Sequence, residues 1–407
     1  MISKILENKK EFVLCLAVFF SVLSQTPFLR VTLNINTTLV SAPFWIISGL
    51  VAIFTIKKAY INRETKIIIT LFVIFFVAIV LSEGVTGNSY ILSYVTKPIY
   101  LSFFFFGIGC LFSRQISNNL IKKIAIAYIA ATLILSIDIF VEYFVGVDIT
   151  VVNYIFRSKN SASSILLVGI VFCLCVNFSI KKLIKIICAC LIVWFTVLII
   201  LMRARAVIIS MPLIPLIYLF TPGKNKIIKI SIIVASLAGL VVVVSSKTLF
   251  NFLVNNILLK ASNSNNVNLD INYLTSNRFY EVLYAFYIFE LNPIFGNGYY
   301  YVDFFAVNSF ANYGFIAGLL LIVISVSPLF VARKTILKDG NLTYTMIAVL
   351  CVFNGIFEGL APFGPGNKFF ILWLLFGLVC NRDEDVAEHY GNCLGSYETK
   401  TFVELRI

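Results

Sequence analysis

The chain has 407 residues, of which 60% are hydrophobic and 13% charged, against about 45–50% and about 25% in soluble globular domains. At a mean hydropathy of +0.97 it lacks the polar surface to cover a water-soluble particle, which excludes disordered, collagen-like and coiled-coil chains and predicts an all-α integral membrane protein. A net charge of +13 would suggest nucleic acid in a soluble protein; in a polytopic one it marks cytoplasmic loops, and no nucleic acid is implied.

A bilayer-spanning helix needs roughly 20 mostly apolar residues. Twelve runs qualify as candidates: about 12–29, 38–56, 67–82, 90–112, 124–144, 161–178, 186–202, 205–221, 230–246, 308–332, 343–361 and 368–381. The first follows Lys4, Lys9 and Lys10 without a small-residue cleavage site, so it reads as an uncleaved signal anchor. With the N-terminus in the cytoplasm, 22 of the 32 basic residues fall on cytoplasmic connections, at least three on each. That is the positive-inside pattern. Residues 1–381 then form the membrane domain and 382–407 a cytoplasmic tail.

Most of the nine cysteines sit in apolar runs as small packing residues. Cys173/Cys175 and Cys188/Cys190 have C-x-C spacing, but residues two apart on a helix face different ways. His389, the only histidine, lies in the tail, so no histidine serves as metal ligand or base within the membrane. Neither metal nor cofactor is expected.

One connection is long: residues 247–307, on the outer face between spans nine and ten. Residues 249–259 suit a short interfacial helix, and 261–272 form a polar, turn-rich stretch. Residues 276–290 then predict an aromatic helix on or in the membrane surface, N-capped by Ser276 and stopped at Asn292-Pro293.

Ionisable groups within spans are costly and are functional candidates. Lys97, Asp138, Glu142, Arg203, Arg205, Glu358 and Lys368 all fall in the outer half. Asp138 and Glu142 share a helix face at i and i+4, and pairing with Lys97 would make them structural supports. Arg203 and Arg205, in LMRARAV, put two guanidiniums at an otherwise apolar turn. The guanidinium fork matches phosphate bidentately and keeps its charge, so Arg203, Arg205 and Arg278 are the expected pyrophosphate site. Gly296-Asn297-Gly298 suits a tight turn. Tyr299, Tyr300 and Tyr301 suit sugar stacking or interface anchoring equally. Asp303 is the first candidate for a general base and Glu358 the second.

Three segments carry a family resemblance. RARAVIIS (203–210) opens a span with an arginine, and SNRFYEVLYAFYIFELNPIFGNG (276–298) joins a basic loop helix to Pro293, Gly296 and Gly298. VNSFANYGFIAG (307–318) enters the next span through Asn308, Gly314 and Gly318. Together they resemble the O-antigen polymerase and ligase superfamily of membrane glycosyltransferases. Ala204 departs from the family's serine, Val307 stands where ligases place a histidine, and Asn312 replaces an acid. The resemblance therefore implies a polymerase rather than a ligase. It would join undecaprenyl-diphosphate-linked oligosaccharide repeats on the outer face of the bacterial inner membrane. Arg203, Arg205 and Arg278 would take the diphosphate, Tyr299, Tyr300 and Asn308 the sugar or loop contacts, and a chain-length regulator would be a further partner. A flippase would explain the charges but not the long outer loop.

Overall fold

The computed structural model describes residues 2–35, 37–55, 61–87, 96–113, 118–150, 159–175, 182–221, 278–298, 300–338, 342–364 and 368–381. It adds the short pieces 226–227, 229–231, 233–234 and 245–246. The expected segments 249–259 and 261–272, Ser276, Tyr299, most of the run 230–246 and the tail 382–407 lie outside the described residues.

Every regular element among the described residues is helical. The α-helices are α1 (Ile2–Leu23), α2 (Thr37–Thr55), α3 (Arg63–Thr86), α4 (Lys97–Phe112), α5 (Asn118–Phe144), α6 (Lys159–Cys175), α7 (Lys182–Leu201), α8 (Arg205–Ser210) and α9 (Leu213–Phe220). They continue as α10 (Arg278–Leu291), α11 (Phe305–Lys338), α12 (Leu342–Phe353) and α13 (Phe370–Cys380). The stretches 63–86, 120–144, 182–201 and 305–337 are long and apolar enough to cross a membrane; the other apolar helices are shorter.

Four boundaries differ from the sequence expectation, each for a local reason. The first helix ends at Leu23 rather than 29, and a π-helical turn at Phe28–Thr32 follows Pro27. The run 205–221 breaks at Met211-Pro212, because Pro212 has no N–H to continue the ladder. The run 308–332 belongs to a longer helix whose backbone leaves helical geometry at Gly314. The run 343–361 is helical only to Phe353. Asn354–Ile356 form a 3-10 turn, and residues 357–364, rich in Gly and Pro, are irregular and mostly buried.

Side-chain contacts define two ends of the bundle. At one, Lys123 pairs with Glu11 at 2.5 Å and Lys334 with Glu64 at 2.7 Å. There the Asn62 N–H also donates to the Asn381 side chain, whose amide nitrogen reaches Ser113 Oγ at 3.0 Å. At the other end, some 20 residues along the same helices, Ser82 of α3 donates to the Phe295 carbonyl at 2.6 Å. Asp138 of α5 accepts the Phe28 N–H at 2.8 Å.

The centre is α13, whose residues 370–378 are all buried. It crosses α4 at Gly109 and Gly377, where a Cβ on either glycine would strike the partner's backbone. Small residues let helix backbones approach this closely in membranes. Trp373 stacks on Phe363, 4.9 Å between ring centroids, and donates to the Pro362 carbonyl at 2.9 Å, pinning the irregular segment to the core. Gly377→Leu should therefore separate α4 from α13, costing at least the ~1–3 kcal/mol of core overpacking. Loss of monodisperse protein on size exclusion in detergent would register it; an unchanged profile and melting point would refute the crossing.

Candidate functional site

The second end of the bundle gathers most of the expected site residues. Arg205 is the first residue of α8 and follows a sharp reversal after α7. Arg203, within that reversal, has φ = 50°, a left-handed backbone that costs a non-glycine residue about 1–2 kcal/mol. The two guanidiniums have different surroundings. Arg203 is exposed and acts electrostatically on Asp148 together with Lys159. The Thr150 hydroxyl and N–H, and then those cations, hold the Asp148 carboxyl below its ordinary range. Arg205 is partly buried and feels the charge of Arg278, 73 residues later in the sequence.

Arg278 begins α10. Its Nη2 donates to Asp303 Oδ2 at 3.0 Å, with both side chains about one-third exposed (32% and 33%). The pair is thus open to solvent on one side. One helical turn along α10, Glu281 feels both charges. Desolvation first, then Asp303, raises its carboxyl above the ordinary value of 4.5, with Arg278 opposing. The sequence reading missed Glu281, although the i, i+3 spacing from Arg278 places both on one helix face.

Tyr301 ties this group to a second one. About half of its surface is exposed, yet its phenol lies near enough to Asp303, Glu358 and the Gly359 backbone to feel all three. Desolvation of that hydroxyl, then the charges of Asp303 and Glu358, push the phenol well above its ordinary range. Glu358 itself is 3% exposed and pairs with Lys368, whose ammonium lies 4.6 Å from the Phe369 ring centroid. Its other oxygen, Oε1, is buried with no hydrogen-bond partner among the described residues. The two candidate bases therefore differ in kind: Asp303 faces an opening, and Glu358 is enclosed.

The backbone holding Asp303 is fixed by two asparagines of α11. Asn308 Oδ1 accepts from the Val302 N–H at 3.1 Å, and its Nδ2 donates to the Gly359 carbonyl at 2.8 Å. Asn312 bonds both the N–H and the carbonyl of Tyr300, at 3.0 and 2.6 Å. Asn308, 2% exposed, has its amide committed to the chain's own backbone, and Tyr300 packs its ring on Tyr284 at 5.2 Å between centroids. Gly314 has φ = 73°, and at this opening of α11 the Ala311 and Asn312 carbonyls turn to accept the N–H groups of Asn297 and Gly298, each at 3.0 Å. A side chain on Gly296 or Gly314 would collide with the other segment's backbone. Gly296 and Gly314 thus dock the loop onto the helix.

The remaining charges lie apart. Asp138 bonds the Phe28 N–H rather than Lys97, which is exposed at the start of α4 and forms no ion pair among the described residues. Glu142 sits one turn beyond Asp138 on α5, partly buried. No group of three His, Cys, Asp or Glu side chains suited to a metal occurs among the described residues.

No family model matches the chain, and no curated protein is significantly similar to it.

A pH prediction follows from Glu281. Its carboxyl favours the neutral form in the folded chain, so lowering pH through its raised value removes a negative charge beside Arg278. Anion binding there should strengthen as pH falls toward 4.5 from above. Glu281→Gln should flatten that rise, measured as sulfate affinity against pH; an equally steep profile in the variant would refute the assignment.

Proposed function

We propose that the chain is a polytopic membrane glycosyltransferase with twelve spans and cytoplasmic termini, whose Arg278–Asp303 end faces outward from the bacterial inner membrane. It polymerises undecaprenyl-diphosphate-linked oligosaccharide repeats into surface polysaccharide. The observation that carries this reading is the meeting of Arg205, Arg278 and Asp303. Arg278 and Asp303 pair at a solvent-open spot, and the charge of Arg278 reaches the partly buried Arg205 of a third segment.

The chemistry needs little more. The acceptor's sugar hydroxyl attacks the anomeric carbon of the growing chain, and the carbon–oxygen bond to diphosphate breaks with its electron pair going to the leaving group. Arg205 and Arg278 offset the negative charge that develops there, usually the largest single contribution to catalysis. Asp303 receives the hydroxyl proton, a contribution of about 10²–10⁴-fold. A diphosphate leaves without a general acid, and no step requires a metal.

Deleting the gene and resolving the surface polysaccharide on a gel tests the reading against its rivals. Loss of a polymerase leaves lipid A core capped by one repeat. Uncapped core would point instead to a flippase or a ligase.

A further inference from the structure

The same site, on that reading, contains a carboxylate where the substrate's diphosphate should bind. Arg278 forms its ion pair with Asp303, and an incoming diphosphate needs the guanidinium edge that Asp303 occupies. We infer that Asp303 is a built-in counter-ion exchanged for the diphosphate: donor binding at Arg278 releases the Asp303 carboxylate, which only then can take the acceptor's proton.

Three features support exchange over a fixed structural pair. Both partners are about one-third exposed, so the pair is of the kind worth little to folding and easily opened. The neighbouring Arg205 adds positive charge that an anion of charge −2 or more uses better than a single carboxylate. Asp303 also has the polar Tyr301 phenol as a near neighbour, so the carboxylate is not left among apolar groups once Arg278 is taken. By contrast, the enclosed Glu358–Lys368 pair has no such opening.

The exchange makes the base available only when a donor is in place. With Arg278 engaged, Asp303 Oδ2 already accepts a hydrogen bond from the guanidinium and is not free to receive the acceptor's proton. Once diphosphate replaces it, the acceptor hydroxyl gives its proton to Asp303 as its oxygen bonds to the anomeric carbon, and the diphosphate departs with the bonding electrons. Without a donor the carboxylate stays paired.

Carboxyl footprinting of the wild-type chain in nanodiscs provides the test, with inorganic pyrophosphate as the probe. Modification of Asp303 by carbodiimide and a glycine ester, read by mass spectrometry, should rise several-fold when pyrophosphate is added. The Arg278→Ala variant should show high labelling with or without it. In parallel, Asp303→Asn should bind pyrophosphate roughly fivefold more tightly than wild type, the equivalent of removing a competitor of about 1 kcal/mol. Unchanged Asp303 labelling in wild type, or weaker pyrophosphate binding by Asp303→Asn, would overturn the exchange. Neither readout depends on polymer formation. Exchange without polymerisation would therefore sink the polymerase reading alone, and polymerisation without exchange would sink this inference alone.

Discussion

Replacing Arg278 by Ala should lower polymer formation by about 10²–10³-fold, the usual cost of removing one preorganised donor to a developing anion. The fold should tolerate it. The Arg278–Asp303 pair is one-third exposed, and such pairs contribute about 0–1 kcal/mol to stability. Arg278→Lys keeps the charge but loses the planar fork, so its activity should fall between the two. Arg205→Ala should act in the same direction, and the double variant should lose less than the product of the two single effects, because both side chains serve one leaving group. The readout is the ladder of products made in proteoliposomes from lipid-linked repeats, with the melting temperature as control. A full ladder from Arg278→Ala would remove the arginine pair from the mechanism.

The second large effect is on stability. Lys368→Met leaves the Glu358 carboxylate buried without its cation, a change that typically costs about 3–5 kcal/mol. Among the described residues Glu358 Oε1 has no hydrogen-bond partner, so no described donor already compensates for loss of the cation. Glu358→Gln alone should be milder, since Lys368 keeps its contact with the Phe369 ring. Combining Lys368→Met with Glu358→Gln should recover much of the loss, because neither partner is then a lone buried charge. Thermal unfolding in one detergent measures all three variants. A double variant no better than Lys368→Met would show that the pair contributes more than charge compensation.

The sequence made the charged end legible because each element of it breaks a local expectation. Arginine at an apolar turn, an acid just before a helix and a carboxylate inside an apolar run are visible without coordinates. The arginine at 278 and the acid at 303 were both recognisable, and their pairing was not, since nothing in linear order specifies which acid meets which cation. Asn308 illustrates the opposite case. A polar residue at a span entrance reads as a ligand contact, whereas its amide is committed to Val302 and Gly359. Glu281 breaks no such expectation, since a single acid on an aromatic helix is consistent with ordinary solvation. The misplaced boundary at Phe353 had a visible cause. Hydropathy counts FNGIFEGLAPFG as apolar, while its glycines and Pro362 deny it a helix.

The crossing of α4 and α13 has a consequence for how the protein is made. The helix at the centre of the bundle, Phe370–Cys380, comes late in the chain, whereas its closest partner, Lys97–Phe112, is synthesised more than 250 residues earlier. Until residue 380 has been translated, the groove beside Gly109 has no backbone to fill it, and the early helices wait around an incomplete core. The last of the described helices acts as a keystone: a chain that stops before it leaves the Gly109 face of α4 without the backbone that packs there.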